Sequence, residues 1–239
     1  MGQKKLIRFN EIKAFENVME YPEHVAGQWA QYFKNENPIT LELACGKGEY
    51  TVGLSRLFPH QNFIGIDLKG NRIWKGAKTA LGESLSNVAF IRSHIDKVNN
   101  YFTQNEISEI WITFPDPQLR NSKMKKRLTH PRFLRLYQSI LKHGGKVHLK
   151  TDSPDLYSFT KIVCDLHNLD ILVDYNDVYA QPNLDATLKI KTHYEGLNIS
   201  GSGKIFYLQF NIDKTIAIEK DAILKQMFTD TDDDATGES

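Results

Sequence analysis

The chain has 239 residues, 41% of them hydrophobic and 25% charged, with a formal net charge of +1. That length suits one large α/β domain or two small ones with a well-buried core, and the composition is that of an ordinary globular protein rather than a disordered or fibrous one. Two cysteines, Cys45 and Cys164, point to no disulfide framework and fit a reducing compartment.

The N-terminus, Met1 to Arg8, is basic but lacks the apolar run of a signal peptide, and no stretch approaches the length of a membrane span; the protein is read as cytoplasmic. Val25, Trp29, Tyr32 and Phe33 fall on one face of an N-terminal helix. Five short apolar runs then predict strands covered on both faces: Ile39–Cys45, Asn62–Leu68, Val88–Ser93, Glu109–Phe114 and Lys146–Thr151. Helical spacing separates or follows them, at Tyr50, Leu54, Leu57 and Phe58; at Ile73, Trp74, Ala77, Ala80 and Leu81; at Phe133, Leu136, Tyr137, Ile140 and Leu141; and at Leu156, Phe159, Ile162, Val163 and Leu166. For the third of these helices Thr129 or His130 is the cap, Pro131 suits the first turn, and Gly144-Gly145 follows its end. Leu169–Val178 and Lys204–Ile212 read as two further strands around a polar stretch without a pattern, and a last helix is expected from Lys214 to Phe228.

This alternation predicts an α/β, Rossmann-like fold with a mostly parallel seven-stranded sheet and helices on both faces. With no internal repeat and no linker, residues 1–228 form a single domain with an N-terminal helical extension. The last eleven residues, Thr229–Ser239, hold five acids and no base, so the rest of the chain carries +6. Such a segment cannot bury a core face and is expected to be a disordered tail.

The first strand runs into Gly46-Lys47-Gly48, where two glycines let the backbone approach a ligand. A dinucleotide fingerprint would place a third glycine at Thr51, which counts against a nicotinamide cofactor and an oxidoreductase. Asp67, at the end of the second strand, is placed to accept from ribose hydroxyls; the plainer alternative is a solvated strand end. Glu42, a carboxylate inside an apolar strand, is either one half of a structural ion pair or a contact to a positively charged ligand.

At the end of the fourth strand Phe114-Pro115-Asp116-Pro117 stiffens the chain around one carboxylate, on the sheet edge where open α/β folds bind ligands. Seven cations follow in sixteen residues without an acid: Arg120, Lys123, Lys125, Lys126, Arg127, Arg132 and Arg135. Starting four residues after Asp116, this run flanks the same pocket and suits a phosphate backbone; the alternative is a solvated face.

Together these residues resemble the bacterial tRNA (guanine-N7-)-methyltransferase family, of the class I S-adenosylmethionine-dependent fold. The resemblance spans about Thr40 to Phe210. It is carried by Glu42 with Gly46-Lys47-Gly48, Gly65-Ile66-Asp67, Phe114-Pro115-Asp116-Pro117, Lys125-Lys126-Arg127-Leu128, Gly144-Gly145, Lys150-Thr151-Asp152 and Thr192-x-Tyr194-Glu195. It implies methylation of a variable-loop guanine of tRNA at N7, S-adenosyl-L-methionine as the only cofactor and no metal, tRNA as the partner, and a monomer or homodimer. It implies Asp116 as the catalytic acid position, and cofactor contacts at Glu42, Gly46, Gly48, Asp67, His94 and Asp116. Substrate contacts are implied at Arg120, Asp152, Thr192 and Glu195, and RNA contacts at Lys123, Lys125, Lys126 and Arg127. The chain departs from the family at Gln118–Lys123, at His94 where the family carries Asp or Asn, and at Asp67 where it carries Glu. Competing readings are another RNA or small-molecule methyltransferase, and an RNA-binding relative without catalysis. Glycine and acid positions kept intact argue against the latter.

Overall fold

The computed structural model describes residues 2–197 and 199–234, and of residues 2–4 and 230–234 the backbone only. In chain order the elements are α1 (Gly2–Glu11), β1 (Val18–Glu20), α2 (Trp29–Phe33), β2 (Ile39–Leu43), α3 (Glu49–Leu57), β3 (Asn62–Asp67), α4 (Gly70–Gly82), β4 (Val88–Arg92), β5 (Ile107–Thr113), α5 (Pro131–Gln138), β6 (Leu141–Thr151), α6 (Pro154–Leu166), β7 (Ile171–Tyr175), β8 (Phe206–Asn211) and α7 (Lys220–Asp234). The strands form one sheet in the order β1-β4-β3-β2-β5-β6-β8-β7, in which β8 alone runs against the others.

Side chains alternate between the two faces of the sheet. Ile64 and Ile66 of β3, Ala89 and Ile91 of β4, and Ile110 and Ile112 of β5 face a core closed by Trp29, Phe133, Tyr137, Phe159 and Leu224. Their neighbours Phe63, Phe90 and Trp111 face the other way, against Tyr50, Leu54, Ile73 and Ala77 of α3 and α4 and against Val178 and Leu188 of the polar stretch. The chain order reverses between β2 and β5, so the carboxyl ends of these two strands open a crevice.

The seven strands and four helices that periodicity predicts all form, with shifted ends at α5 and β6. The sheet, however, has eight strands: β1 pairs in parallel with β4 (Val18 opposite Phe90), and three residues are too short for an alternation to be read. Helix α1 was also illegible as a pattern; it sits on α4, with Arg8 over the Trp74 ring at 4.6 Å. Of the N-terminal helix only Trp29–Phe33 is helical, and Val25 lies outside it.

Helix α5 ends at Gln138, so Ile140 is in a turn and Leu141 opens β6. Gly144-Gly145 is therefore not a helix stop but a bulge within the strand. Gly144 has φ +74°, and a Cβ on Gly145 would lie 2.7 Å from Lys142 O and 2.9 Å from Ser108 O. The cap of α5 is His130, whose Nδ1 accepts from Arg132 N at 3.1 Å. Helix α7 starts six residues after Lys214 and continues past Phe228 to Asp234, anchored by buried Leu224 and by Phe228 against Phe159. The segment expected to be disordered from Thr229 is thus helical through Asp234, and its remainder, 235–239, lies outside the described residues.

Candidate active site

The loop after β2 is held from both sides. Gly48 has φ +69°, and a Cβ there would stand 2.6 Å from Phe90 Cε1, so only glycine closes the turn. Asp67 then fastens the loop to β3. Its Oδ2 accepts from Gly46 N at 2.9 Å and its Oδ1 from Lys69 N at 2.7 Å, and the residue is buried. Each oxygen keeps a lone pair for a further donor.

Glu42 forms no ion pair among the described residues; it is hydrogen-bonded inside the fold. Oε2 accepts from Thr51 N at 2.8 Å and Thr51 Oγ1 at 2.5 Å, and Oε1 from Thr113 Oγ1 at 2.7 Å. The side chain is 3% exposed, and burial pushes its carboxyl up to about 7 against the pull of those three bonds. Thr51, in the place of the third glycine of a dinucleotide loop, supplies two of the three donors. Glu42 thus ties β2, the start of α3 and the end of β5 together beneath the crevice.

After β5 the backbone turns through Phe114 (φ +46°) to Gln118 (φ +48°). Positive φ at an aromatic residue is strained, and here it swings Asp116 over the crevice. Asp116 is exposed, with Oδ1 accepting from Gln118 N at 3.0 Å. Asp152 immediately follows β6, its Oδ2 accepting from Ser200 N at 3.1 Å, just before the Ser153 cap and Pro154 start α6.

These residues surround a cleft of about 560 Å³ lined by Gly46, Asp67, Asp116, Asp152, Thr192 and Tyr194, among others. Arg72 also lines it, 5.4 Å from the Tyr194 ring centre. A second hollow of about 480 Å³ shares Ala44, Asp67, Leu68, Pro115 and Asp116 with the cleft and extends it to His94 and Lys126. The structure therefore brings together six of the predicted residues, Gly46, Asp67, His94, Asp116, Asp152 and Thr192, with Lys126 at the rim. Gly48 faces a separate groove behind the loop, and Arg120 is exposed in a hollow beside Phe228.

Two more expected contacts, Glu195 and Arg127, also face away from the cleft. Glu195 is turned inward: Oε2 accepts from Lys150 Nζ at 3.1 Å, and Oε1 accepts from the Tyr179 hydroxyl. Lys150 is fully buried and also donates to Leu188 O at 2.9 Å and Ile190 O at 3.0 Å. Its burial lowers the ammonium pKa although Glu195 works to raise it. Glu195 and Thr192 cap each other, Glu195 N donating to Thr192 Oγ1 at 3.2 Å and Thr192 N to Glu195 Oε2 at 3.3 Å. The pair therefore latches the segment that carries Thr192 and Tyr194 onto the end of β6.

Arg127 is likewise not on the surface. It is 3% exposed, donates to Gln118 O and Leu119 O, both at 3.2 Å, and lies 4.5 Å over the Phe159 ring. It shapes the loop from within because the planar guanidinium can satisfy two carbonyls while stacking on an aromatic ring. Lys123, Lys125 and Lys126 are exposed on a turn anchored by buried Met124. Lys150, Tyr194 and Thr51 were missed as site residues. For Lys150 the signal was the same as for Glu42, a charge in an apolar strand.

The chain has the fold of solved methyltransferases. Solved structures with this fold include an antibiotic-related methyltransferase, with a TM-score of 0.60 and 15% identity over 77% of this chain and 92% of that one. The 16S rRNA methyltransferase KamB matches with a TM-score of 0.58 and 13% identity over 79% of this chain and 94% of its own. A family model described as "Putative methyltransferase" matches residues 36–208. The chain belongs to the tRNA (guanine-N(7)-)-methyltransferase family. The relative of that name in Porphyromonas gingivalis is 45% identical over 84% of this chain and 86% of its own length, and that in Christiangramia forsetii 46% identical over 89% and 100%. No helix among the described residues is long and apolar enough to cross a membrane.

Proposed function

We propose that this chain methylates N7 of a guanine in the variable loop of tRNA, using S-adenosylmethionine, as a cytoplasmic monomer or homodimer. The observation that carries this reading is the convergence of Asp67 and Asp116 on one cleft at the β2–β5 crevice, with exposed lysines at its rim. The cleft fits the cofactor. Its volume of about 560 Å³ is that of a small-molecule site, Asp67 keeps lone pairs for a ribose diol, and the backbone at Gly46 is open except for the Tyr194 ring.

S-adenosylmethionine, when bound, supplies an electrophilic methyl group on a positively charged sulfur. Guanine N7 offers an in-plane lone pair and no proton, so no side chain has to remove one. The chain's task is to hold the two reactants in line and to favour the charge that appears on the base. Asp116 stands at the junction of the cleft and its extension, where a carboxylate facing the base favours that charge and accepts from the N1 and amino edge. Asp152 and Thr192 are further acceptors lining the same cleft. Lys123, Lys125 and Lys126 hold phosphate while the base is unstacked to enter.

The test is incubation of unmodified bulk tRNA with the protein and S-adenosylmethionine, followed by mass spectrometry of the nucleosides. The expected product is 7-methylguanosine; a methylated exocyclic amine, or no methylated nucleoside, overturns the reading. Asp116→Asn should slow single-turnover methylation on the order of 10²-fold at saturating tRNA and cofactor. Full activity in that variant would make the residue structural.

A further inference from the structure

The loop after β2 has two sides. At Gly46 it faces the cleft, and at Lys47 and Gly48 it floors a separate groove of about 600 Å³ between α3, α4 and residues 186–191. Five cations line this groove, Lys47, Arg56, Lys75, Lys189 and Lys191, against a single carboxylate, Glu49. Arg56 is taken up by Glu83, in a two-pronged bond of 2.8 and 2.6 Å. None of the four lysines is in an ion pair among the described residues. Lys75, Lys189 and Lys191 are exposed and Lys47 is half-buried. Four ammonium groups without an ion pair, facing Glu49 in the groove and Asp185 beside Lys189, still leave the concavity net positive and focus a positive potential there.

The location gives that potential a direction. Helices α3 and α4 cover one face of the sheet, whereas the turn bearing Lys123, Lys125 and Lys126 leads into α5 on the other. The reaction cleft lies on the carboxyl edge between them. Groove and cleft are contiguous: Glu49 lines both, and Lys191 immediately precedes Thr192 on the cleft wall. A polyanion that inserts one base into the cleft thus meets free lysines on each side of the sheet edge. A folded RNA arm has two phosphate strands, and with a base drawn out between them it offers phosphates to both sides at once.

We infer that the α3–α4 groove is a second docking face for the tRNA phosphate backbone, opposite the lysine turn that follows β5. The inference rests on the proposed action on tRNA. The two faces straddle the extruded guanine and fix its approach to the cleft, and Lys75, Lys189 and Lys191 form the outer wall of the second face.

The experiment compares wild type, Lys75→Ala/Lys189→Ala and Lys125→Ala/Lys126→Ala in binding to full-length unmodified tRNA across a salt series, with S-adenosylhomocysteine affinity measured alongside. The groove variant should weaken tRNA binding on the order of 10-fold at 0.1 M salt and make the slope of log K against log salt shallower by roughly 0.7–0.9 for each phosphate the groove no longer neutralises. Cofactor-product affinity and melting temperature should stay at wild-type values. An unchanged slope in the groove variant, with a reduced one in Lys125→Ala/Lys126→Ala, would overturn the inference and leave tRNA on one face only. Loss of S-adenosylhomocysteine affinity with unchanged tRNA binding would also overturn it, by making the groove a cofactor feature. Failure of the wild type to methylate tRNA would refute the proposed function instead, and the two results are separable because each has its own control.

Discussion

The inward turn of Glu195 makes a prediction that separates a latch from a substrate contact. Lys150 is fully buried and Glu195 nearly so, at 0% and 5% side-chain exposure, with a nitrogen–oxygen separation of 3.1 Å. Glu195→Gln keeps the shape and removes the counter-charge, leaving a buried ammonium with two carbonyl partners, Leu188 O and Ile190 O. Breaking a buried pair from one side costs about 3–5 kcal/mol, because the surviving charge is uncompensated. In a chain of this size that corresponds to a fall in melting temperature of roughly 6–20 °C. Lys150→Met should cost a similar amount, since it strands Glu195 and frees both carbonyls. The double variant Lys150→Met/Glu195→Gln should be less damaged than the sum of the two by at least about 1 kcal/mol, the mark of direct coupling. Urea unfolding of the four proteins at constant m measures this cycle. Affinity for S-adenosylhomocysteine should fall in each single variant and recover partly in the double one, since Thr192 and Tyr194 depend on the latch. The reasoning is refuted if Glu195→Gln unfolds at the wild-type urea midpoint yet loses tRNA affinity; the carboxylate would then face the substrate.

Within the basic run, Arg127→Ala should destabilise the fold by about 2–4 kcal/mol through two unsatisfied carbonyls and weaker packing on Phe159, whereas Lys125→Ala/Lys126→Ala should stay within about 0.5 kcal/mol of wild type and weaken tRNA binding only. Denaturant midpoints and a salt series distinguish the two. His130 is neutral as an acceptor for α5, and burial lowers its pKa to about 4. The folded value lies below the unfolded one, so the stability it contributes is complete above pH 6.5 and drains away as pH falls towards 4, by roughly 2 kcal/mol at pH 5. His130→Ser keeps a cap without this titration, and its stability should fall less than wild type between pH 7 and 5; parallel losses would remove His130 as the cause. Asp67→Ala should weaken S-adenosylhomocysteine binding by about 1–3 kcal/mol, read by calorimetry, and an unchanged affinity with an intact fold would take Asp67 out of the cofactor site.

The sheet was legible because its central strands are covered on both faces and so are apolar throughout; β2 and β3 bury every residue. What escaped reading was short or depended on partners. Three residues of β1 have no period, and Ile140-Leu141 continue the spacing of α5 although the backbone has already turned into β6. The placement of Asp67 and Asp116 in one cleft was legible because Asp67 ends β3 and Asp116 closely follows β5 on the same sheet edge, where position fixes direction. That of Glu195 and Arg127 was not, because their direction depends on contacts distant in sequence: Lys150 lies forty-five positions before Glu195, and Phe159 thirty-two after Arg127. A buried charge such as Glu42 signals a partner in any sequence, but not which one; its partners are two threonines rather than a cation.

The basic run shows how a count of charges overstates an electrostatic footprint. Of its four arginines, three are spoken for: Arg127 by two carbonyls, Arg132 by Asp96, and Arg135 by Asp221 in a fork of 3.1 and 2.7 Å. All three lysines are exposed, and none is in an ion pair among the described residues. The division follows from the side chains themselves. A guanidinium holds two acceptors in one plane and is weakly hydrated, so the fold can employ it as a brace, whereas an ammonium on a flexible stem remains a hydrated point charge. Four cations, Arg120 and the three lysines, are therefore left on this face for RNA. At roughly 0.7–0.9 per neutralised phosphate they supply a salt slope near 3, where seven cations would give about 5–6. A measured slope well above 3 then requires cations from another surface, and the free lysines across the sheet edge, at positions 47, 75, 189 and 191, are contiguous with the cleft.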